Sequence, residues 1–437
     1  MSSQTFRTAR LLKTAALLLG AVPTIAAAQA PAGVPVGGNL PAASAVASVY
    51  DTFKMSPLWF RGGAVSPAAT QLVQILRRAP FDGFAMGPQL AAQVEAAILQ
   101  ARSGNPQAIA AAERTLSTAW VAYVQALRKP TPGMIYAYPV LQPQGTRPDQ
   151  ILLTAAAAPS LEAHLSSVSN LNPIYAQLRA AAIAEAQATG SMVPDPRLLA
   201  NLDRARSIPA GGKFVLVDAA TQRLWMYENG VPVDSMKVIV GTNETPTPMI
   251  ASIIHYATFN PYWNVPDNLI RKTVAPSAVR EGAAYLKPRG YEVMTDWTEN
   301  ATVIPSNQID WKAVAAGQKK IRVRQLPGPG NSMGKFKYSF PNGEDIFLHD
   351  TPSKDLFAKS NRTLSNGCVR LEDARRFGRW LLGREPVAPG SEPEIHVQLP
   401  QGVPIFLTYL TAQPDGGRIT YTADVYGWDR QAQVATR

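Results

Sequence analysis

The residues best suited to chemistry are a single cysteine, Cys368, and a histidine 19 positions before it, His349. Cys368 is the only cysteine in the 437-residue sequence, and it lies in the run Ser-Asn-Gly-Cys-Val-Arg at 365–370. His349 opens the run His-Asp-Thr-Pro at 349–352. A thiol becomes a nucleophile when its pKa is lowered or when a nearby base accepts its proton. The pair therefore predicts a thiolate site for acyl transfer.

The residues around Cys368 are expected to complete this site. Gly367 permits a close approach of the backbone to a substrate, and the N–H groups of Gly367 and Cys368 are candidate donors to an oxyanion. Ser365 and Asn366 are expected to contribute to the same oxyanion and substrate contacts. Arg370 has two expected roles that the sequence does not separate, which are binding a substrate carboxylate and bracing the loop.

The flanking elements indicate how His349 and Cys368 meet. The apolar run 346–348 predicts a strand that leaves His349 at its end, and 371–382 predicts a helix. The N-terminus of that helix, shortly after Cys368, would favour the thiolate. Asp350 either orients the imidazole or caps the turn that follows, and a main-chain carbonyl would orient the imidazole equally well.

A structural interpretation competes with this chemistry. A free cysteine is often a small buried apolar residue, and His349 would then be a core histidine. The other histidines have no partner pattern and are expected to be structural; they are His164, His255 and His396. One cysteine with scattered histidines lacks the ligand spacing of a metal site, so neither a metal nor another cofactor is expected.

The N-terminal sequence predicts export. Three basic residues precede a mostly apolar stretch, which indicates a signal peptide over 1–28. Cleavage after Ala28 is favoured over cleavage after Ala30, because the latter would place a proline first. An uncleaved N-terminal anchor is the alternative. A Pro/Ala/Gly-rich linker is predicted over 29–44.

The chain is basic, with a net charge of +11, of which the signal peptide carries three charges and the remainder +8. A basic surface suits an anionic partner such as a cell-wall polymer or a membrane. The basic residues are scattered, however, so no nucleic-acid role is predicted. Beyond the N-terminus no apolar run approaches about 18 residues, and no further membrane span is expected.

Residues 45–204 are expected to form a helical domain, with Trp120 and Tyr123 in its core. A loop is predicted over 130–148 because it is rich in proline. Helices are predicted to begin at Ser66-Pro67, Gly87-Pro88 and Pro106, with shorter ones near 159–168, 172–189 and 195–206.

Residues 205–437 are expected to form a mostly antiparallel β domain, either a sandwich or a barrel. Asn229-Gly230 between two apolar runs predicts a hairpin. An insertion over 263–322 predicts either a lid over the site or a static packing elaboration. The tail predicts strands at 394–399, 404–410 and 418–426. The expected fold class is therefore α+β and multidomain, with the helical domain first.

The runs at 349–354 and 365–370 resemble the active-site signature of L,D-transpeptidases with a YkuD-type catalytic domain. They are most similar to the large periplasmic, YcbB-like subgroup, which has a helical scaffold domain and a lid inserted in the catalytic domain. The similarity is close over 205–437 and looser over 45–205. Further similarity to this subgroup lies at 260–266, 324–331 and 404–409.

This resemblance implies a periplasmic cysteine acyltransferase that crosslinks peptidoglycan. Cys368 would attack the bond between diaminopimelate and D-Ala in a tetrapeptide stem, release D-Ala and form an acyl-enzyme. An amine of a second stem would resolve the acyl-enzyme into a crosslink, with His349 transferring the protons. Donor and acceptor stems are thus the expected partners. The family also implies exchange of the terminal D-amino acid and acylation by carbapenems.

Two features depart from the family pattern. Many members have histidine where this chain has Asn366, whereas His349 aligns with the histidine that serves as the base. The subgroup usually carries a small wall-binding helical module after the scaffold domain, and 160–205 leaves no room for it. Substrate capture is then expected to rest on the scaffold domain, the lid or the basic surface.

Three other functions compete with crosslinking. A cysteine L,D-carboxypeptidase would use the same pair of residues to hydrolyse wall peptides. A sortase-like enzyme is indicated by Thr-Leu-Ser at 363–365, but the spacing between histidine and cysteine is too short for it. A non-catalytic wall-binding scaffold would leave Cys368 without a chemical role.

Overall fold

The computed structural model of the protein describes residues 42–430. The predicted signal peptide, both candidate cleavage sites and the predicted linker up to residue 41 lie outside the described residues. Residues 42–44, predicted as the end of the linker, already belong to the first helix. Within 42–430, no helix has the length and apolar character needed to cross a membrane.

Residues 42–206 are mainly helical, as predicted. Six of the helices have proline in the first turn, where the missing N–H costs no intrahelical bond. The helices are α1 (Ala42–Phe53), α2 (Pro67–Arg78), α3 (Gly87–Ala101), α4 (Pro106–Leu127), α5 (Pro148–Ala157), α6 (Leu161–Asn170), α7 (Pro173–Thr189) and α8 (Pro196–Ala205). Three short strands accompany them, β1 (Phe60–Arg61), β2 (Ala64–Val65) and β3 (Ile135–Tyr136).

Side-chain oxygens cap several of these helices by accepting a hydrogen bond from a main-chain N–H of the first turn. The capping residues are Asn105, Ser160, Asn172 and Asp195. Ser66 precedes α2 as predicted, but it does not cap the helix, because its hydroxyl has no partner among the residues described. Helix α5 was not predicted, since its ten residues bury only three side chains and give a weak apolar pattern.

A buried carboxylate joins the helices of this region. Asp82, which is 1% exposed, accepts hydrogen bonds from the hydroxyls of Tyr123 at 2.9 Å and Tyr175 at 2.7 Å. It also accepts from Nη1 of Arg179 at 2.8 Å. Burial raises the pKa of both tyrosines well above the ordinary value, so both hydroxyls remain donors. Trp120 stacks on Tyr123, and both are fully buried, which confirms their predicted core position.

Replacing Asp82 with alanine is expected to lower the free energy of unfolding by about 3–5 kcal/mol, because Arg179 would remain buried without its partner. Urea unfolding followed by circular dichroism measures this change. The exposed pair of Asp51 and Arg114 supplies the control, since Asp51→Ala is expected to cost less than about 1 kcal/mol. Equal effects of the two substitutions would contradict the prediction.

Residues 207–430 contain most of the strands. They are β4 (Phe214–Asp218), β5 (Arg223–Glu228), β6 (Val231–Gly241), β7 (Ile250–Phe259), β8 (Trp263–Asn264), β9 (Tyr291–Met294), β10 (Val303–Ile304), β11 (Arg322–Gln325), β12 (Phe336–Ser339), β13 (Phe347–His349), β14 (Thr363–Ser365), β15 (Val369–Leu371), β16 (Ile395–Thr408), β17 (Ala412–Asp415) and β18 (Arg418–Tyr421). The α-helices are α9 (Asp267–Leu269), α10 (Ala275–Glu281), α11 (Trp311–Ala315) and α12 (Ala374–Leu382).

Eight of these strands close into a barrel. Their order around the ring is β7, β12, β13, β15, β6, β5, β4 and β16, and β16 pairs back with β7. Within the ring only the β13–β15 and β4–β16 pairs are parallel, which confirms the mostly antiparallel prediction. The predicted hairpin joins β5 to β6 through Asn229 and Gly230, whose φ values of 51° and 79° suit a two-residue turn.

Three predicted boundaries near the end of the chain were wrong. The two strands expected at 394–399 and 404–410 are one strand, β16, with an irregularity between Gln398 and Val403. The strand expected at 418–426 ends at Tyr421. The helix expected over 371–382 begins at Ala374, because the residues after Cys368 are held in β15 by pairing with β13 and β6.

The insertion between β7 and β12 is a subdomain with its own core, in agreement with the predicted interruption of the barrel. Strands β8 to β11 form a separate sheet in the order β10, β9, β11, β8. A separate apolar cluster holds this sheet against α10 and α11, with Val274, Trp311, Val314 and Val323 among its members. We call this part the lid subdomain.

The helical region and the barrel share one continuous apolar core. Strand β3 of the helical region pairs with β7 of the barrel. Helix α8 packs on the C-terminal part of the chain, where Arg197 and Arg204 both pair with the buried carboxylate of Asp429, at 2.7 Å and 2.6 Å. The two regions are therefore packed as one body.

Candidate active site

The register of two parallel strands brings the predicted site together. Strands β13 and β15 pair in parallel, with His349 opposite Arg370. Alternate side chains of a strand face the same side, so Phe347 and His349 share a face with Cys368 and Arg370. His349, Cys368 and Arg370 accordingly line one cavity of about 690 Å³.

The lid subdomain forms the opposite wall of this cavity. The wall residues from the lid and its approach include two tryptophans, a tyrosine and several apolar side chains, namely Tyr262, Trp263, Val265, Pro266, Leu269 and Trp297. Trp297 is 48% exposed and adds a large aromatic surface to the wall. Residues of the insertion thus line the same cavity as Cys368 and His349, and its action as a lid stays a prediction.

The thiol of Cys368 is protonated in the resting site. The residue is half-buried, and its Sγ–H donates to the carbonyl oxygen of Asp345 at 3.6 Å. Burial raises the pKa of Cys368 to about 11, although a hydrogen bond from the main chain of Phe347 and the charge of Arg370 lower it. The prediction that the N-terminus of the following helix stabilises a thiolate at Cys368 is wrong, because strand β15 separates Cys368 from α12.

His349 is neutral in the resting site and has one ring nitrogen free to accept a proton. Its Nδ1 lies 2.5 Å from the carbonyl oxygen of Asp350. A carbonyl oxygen only accepts, so Nδ1 carries the proton and Nε2 has the lone pair. Burial lowers the pKa of His349 to about 4, and the charge of Arg370 acts in the same direction. A neutral imidazole of this tautomer can act as a base.

Asp350 contacts His349 through its main chain, and its carboxylate points elsewhere. One carboxylate oxygen accepts from Nζ of Lys354 at 2.8 Å, and the other accepts from the N–H of Lys335 at 2.9 Å. The sequence left open whether the Asp350 carboxylate or a main-chain carbonyl orients the imidazole. In the structure, the main-chain carbonyl of Asp350 makes this contact.

The loop that carries Cys368 is fixed by its own hydrogen bonds. The hydroxyl of Ser365 donates to the carbonyl of Cys368 at 2.6 Å and accepts from the N–H of Gly367 at 3.2 Å. Gly367 has φ of 110°, and a Cβ there would lie 3.0 Å from Ile346. The N–H of Gly367 is thus occupied, which leaves the N–H of Cys368 as the oxyanion donor still expected from the sequence.

Two further predicted residues line the cavity. Asn366 is exposed at the cavity wall. The Nε of the Arg370 guanidinium is buried and has no hydrogen-bond partner within residues 42–430. Burial lowers the pKa of Arg370. A cavity-wall guanidinium whose Nε lacks such a partner suits an anionic ligand group better than it suits bracing of the loop.

The remaining histidines lie away from this cavity. His164 packs edge-on against Trp120, His255 contacts the hydroxyl of Tyr138 at 3.0 Å, and His396 contacts the hydroxyl of Thr258 at 3.0 Å. Each is thus held by neighbours outside the site. Across residues 42–430, no group of histidine, cysteine and carboxylate side chains has the arrangement of a metal site.

Sequence reasoning missed residues that hold the site through the main chain. The carbonyl of Asp345 holds the thiol, and a carbonyl leaves no signal in residue type. Thr247 donates to the carbonyl of Gly367 at 2.6 Å. Its segment, Thr-Pro-Thr-Pro at 245–248, predicts only a rigid loop. Tyr426 contacts the same loop from the far end of the chain, a position that no local pattern connects with Cys368.

Two family models match the chain. Residues 212–390 match a model described as "L,D-transpeptidase catalytic domain", the YkuD family, and residues 44–181 match one described as "Scaffold domain". The barrel that carries Cys368 and His349 therefore belongs to the YkuD family of L,D-transpeptidase catalytic domains, and a scaffold domain precedes it. This is the two-domain architecture of the YcbB-like subgroup.

A relative with the same assignment extends over most of the chain. A Haemophilus influenzae protein named "Putative L,D-transpeptidase" is 26% identical over 406 residues, which cover 89% of this chain and 79% of that protein. The similarity thus includes both the helical region and the barrel.

Solved structures show a more distant likeness. An L,D-transpeptidase from Mycobacterium smegmatis is 10% identical, with a TM-score of 0.24 over 46% of this chain and 60% of its own. A structure described as "Structure of the Ldtfm-avibactam carbamoyl enzyme" is 12% identical, with a TM-score of 0.22 over 46% of this chain and 50% of its own.

Proposed function

We propose that the protein is a peptidoglycan L,D-transpeptidase with Cys368 as nucleophile and His349 as general base. The observation that carries this proposal is that a protonated thiol and a neutral imidazole face one cavity, with the imidazole proton fixed on Nδ1. The proposed substrates are tetrapeptide stems of the cell wall, as the resemblance of the sequence implies. The predicted signal peptide supports action in the periplasm.

The first half-reaction would form a thioester. Nε2 of His349 takes the proton of Cys368 as the sulfur attacks the carbonyl carbon of diaminopimelate that is bonded to D-Ala. The tetrahedral intermediate places negative charge on the carbonyl oxygen. The C–N bond to D-Ala then breaks, and the leaving amine takes the proton from His349. The products are free D-Ala and an acyl-enzyme on Cys368.

The second half-reaction would transfer the acyl group to an amine. The side-chain amine of a second stem attacks the thioester carbonyl and gives a proton to His349. The C–S bond breaks as the new amide C–N bond forms, and the thiolate of Cys368 recovers the proton. The lid wall over the cavity favours this outcome, because an enclosed site limits the access of water to the thioester.

Incubation of the purified protein with disaccharide-tetrapeptide separates transfer from hydrolysis. Crosslinked dimers detected by mass spectrometry support the transpeptidase. Tripeptide and free D-Ala without dimers would identify the cysteine carboxypeptidase instead. The absence of any product would favour the non-catalytic scaffold.

Arg370→Gln is expected to raise KM for the tetrapeptide by about 10–100-fold, because the Nε of the guanidinium has no hydrogen-bond partner within residues 42–430 and is available to a substrate carboxylate. A smaller change in kcat is expected as well, because the charge of Arg370 lowers the pKa of both Cys368 and His349. Steady-state release of D-Ala measures both constants.

Arg322 supplies a matched control for this change. It is an exposed arginine on β11 of the lid subdomain and is not part of the cavity wall. Arg322→Gln removes the same charge and is expected to leave KM within about twofold, as a screened surface charge should. An unchanged KM in Arg370→Gln would assign Arg370 to the bracing role instead.

A further inference from the structure

Thr247 connects the loop of Cys368 to the end of strand β6. Its hydroxyl donates to the carbonyl of Gly367 at 2.6 Å and accepts from the N–H of Gly241 at 2.9 Å. Thr247 is 1% exposed, so water does not compete readily for these two bonds. The side chain therefore bridges two glycine main-chain groups, one of which directly precedes the nucleophile.

Tyr426 holds this bridge from the C-terminal end of the chain. Its hydroxyl donates to the carbonyl of Gly241 at 2.9 Å and accepts from the N–H of Thr247 at 3.4 Å. The ring stacks on Tyr409, with centroids 5.1 Å apart, and packs against Trp428 at 5.0 Å. Tyr426 lies beyond the 212–390 segment that matches the catalytic-domain family.

Helix α8 anchors the segment that carries Tyr426. The N–H of Tyr426 donates to the hydroxyl of Tyr409, which donates to the carboxylate of Asp424. The same carboxylate accepts from the N–H of Asp429, at 3.1 Å. Asp429 in turn accepts from Arg204 of α8 at 2.6 Å. A continuous set of hydrogen bonds thus leads from the helical region to the peptide before Cys368.

The geometry of a peptide bond links this set to the chemistry. The carbonyl of Gly367 and the N–H of Cys368 belong to the same planar trans peptide, so they point in opposite directions. Holding the carbonyl toward Thr247 therefore fixes the direction of the Cys368 N–H. Gly367 has φ of 110°, a region where glycine moves readily, so the peptide needs an external restraint.

We propose that Thr247 and Tyr426 are positioning residues that aim the N–H of Cys368 at the oxyanion. The inference rests on the proposed acyl-transfer function and deepens it. Ser365 already occupies the N–H of Gly367, so the Cys368 N–H is the donor whose direction matters. The helical region contributes to the reaction through this restraint, although it supplies no group to the cavity wall described above.

Two reactions of the same thiol separate this role from general support of the fold. Acylation of Cys368 by a carbapenem opens the lactam C–N bond and passes through an oxyanion. Alkylation by iodoacetamide forms a C–S bond, releases iodide and forms no oxyanion. Loss of the oxyanion donor slows the first reaction alone, whereas displacement of Cys368 or His349 slows both. Stopped-flow mixing and mass spectrometry of the full chain give the two rates.

Thr247→Val keeps the shape of the side chain and removes the hydroxyl. We expect acylation to fall by about 10²–10³-fold, the size of effect known for one oxyanion donor, with alkylation within about twofold of the unaltered protein. Thr247→Ser is expected to restore acylation to within about threefold, because it restores the donor. Tyr426→Phe removes the hydrogen bonds of the Tyr426 hydroxyl to Gly241 and Thr247 and is expected to slow acylation by about threefold to tenfold.

Thr258→Val is the matched control, because Thr258 is a buried threonine of the barrel whose hydroxyl contacts His396, away from the cavity and the loop of Cys368. It is expected to leave both rates unchanged. Normal acylation in Thr247→Val and Tyr426→Phe would overturn the positioning role, and so would a parallel fall of acylation and alkylation. If the unaltered protein is not acylated at Cys368, the proposed function itself fails, and the positioning role fails with it.

Discussion

Cys368→Ala is expected to reduce crosslink formation and D-Ala release by about 10⁴-fold or more, because Cys368 is the only cysteine of the sequence and the proposed acyl-enzyme is a thioester. The substitution removes one half-buried sulfur, which makes only a weak hydrogen bond to the carbonyl of Asp345, so the fold should persist. Mass spectrometry after incubation with a carbapenem is the direct measurement. The unaltered protein should gain one adduct at Cys368, and the variant should gain none.

The folding of this variant needs its own check, because an unfolded protein would also be inactive. The near-ultraviolet circular dichroism spectrum of Cys368→Ala should match that of the unaltered protein. Its free energy of unfolding, measured with urea, should agree to within about 1 kcal/mol. A folded variant that still crosslinks would refute the cysteine mechanism. That result would favour the alternative interpretation, in which Cys368 is a structural residue with no catalytic role.

His349→Gln is expected to lower kcat/KM by about 10²–10⁴-fold, since the thiol of Cys368 would lose the base that takes its proton. Glutamine retains a polar side chain beside the carbonyl of Asp350 but does not accept a proton near neutral pH. His255→Gln is the matched control, because His255 contacts Tyr138 away from the cavity. Equal activity of the two variants would exclude His349 as the base.

The pH profile gives a second test of the same pair. His349 must be neutral to accept the proton, and burial lowers its pKa to about 4. Activity should therefore be lost as the pH falls through about 4 and remain level from there to neutral pH. The acid limb of kcat/KM reports the free enzyme. A limb near 6.5 would show instead that the imidazole titrates as it does in water.

The candidate site residues were largely readable from residue types. The spacing of His349 and Cys368 and the prolines that begin the helices are local patterns; the structure brings the two residues to one cavity and begins the helices at those prolines. The assignment of the imidazole contact was left open between the carboxylate and a carbonyl. The carboxylate of Asp350 pairs with Lys354 instead of with the imidazole, and this pairing is set by tertiary packing.

What the sequence did not reveal depends on pairing between distant segments. The parallel register of β13 and β15 holds residues 369–371 in a strand. The helix expected to begin at residue 371 therefore begins at Ala374, and its N-terminus lies farther along the chain from Cys368. The raised pKa of the thiol follows from burial, which is a property of the assembled barrel and lid. Thr247 and Tyr426 are separated by 179 positions and meet only in the fold.

The protonated state of the resting thiol has a consequence for durability. Peroxides and disulfides react with thiolates far faster than with thiols. With a pKa of about 11, roughly one molecule in 10⁴ carries a thiolate at pH 7. In the periplasm proposed for this protein, an oxidising environment where no second cysteine of this chain can repair an oxidised sulfur, such a low fraction would preserve the proposed nucleophile between turnovers. Burial of the thiol thus also serves as protection against oxidative damage.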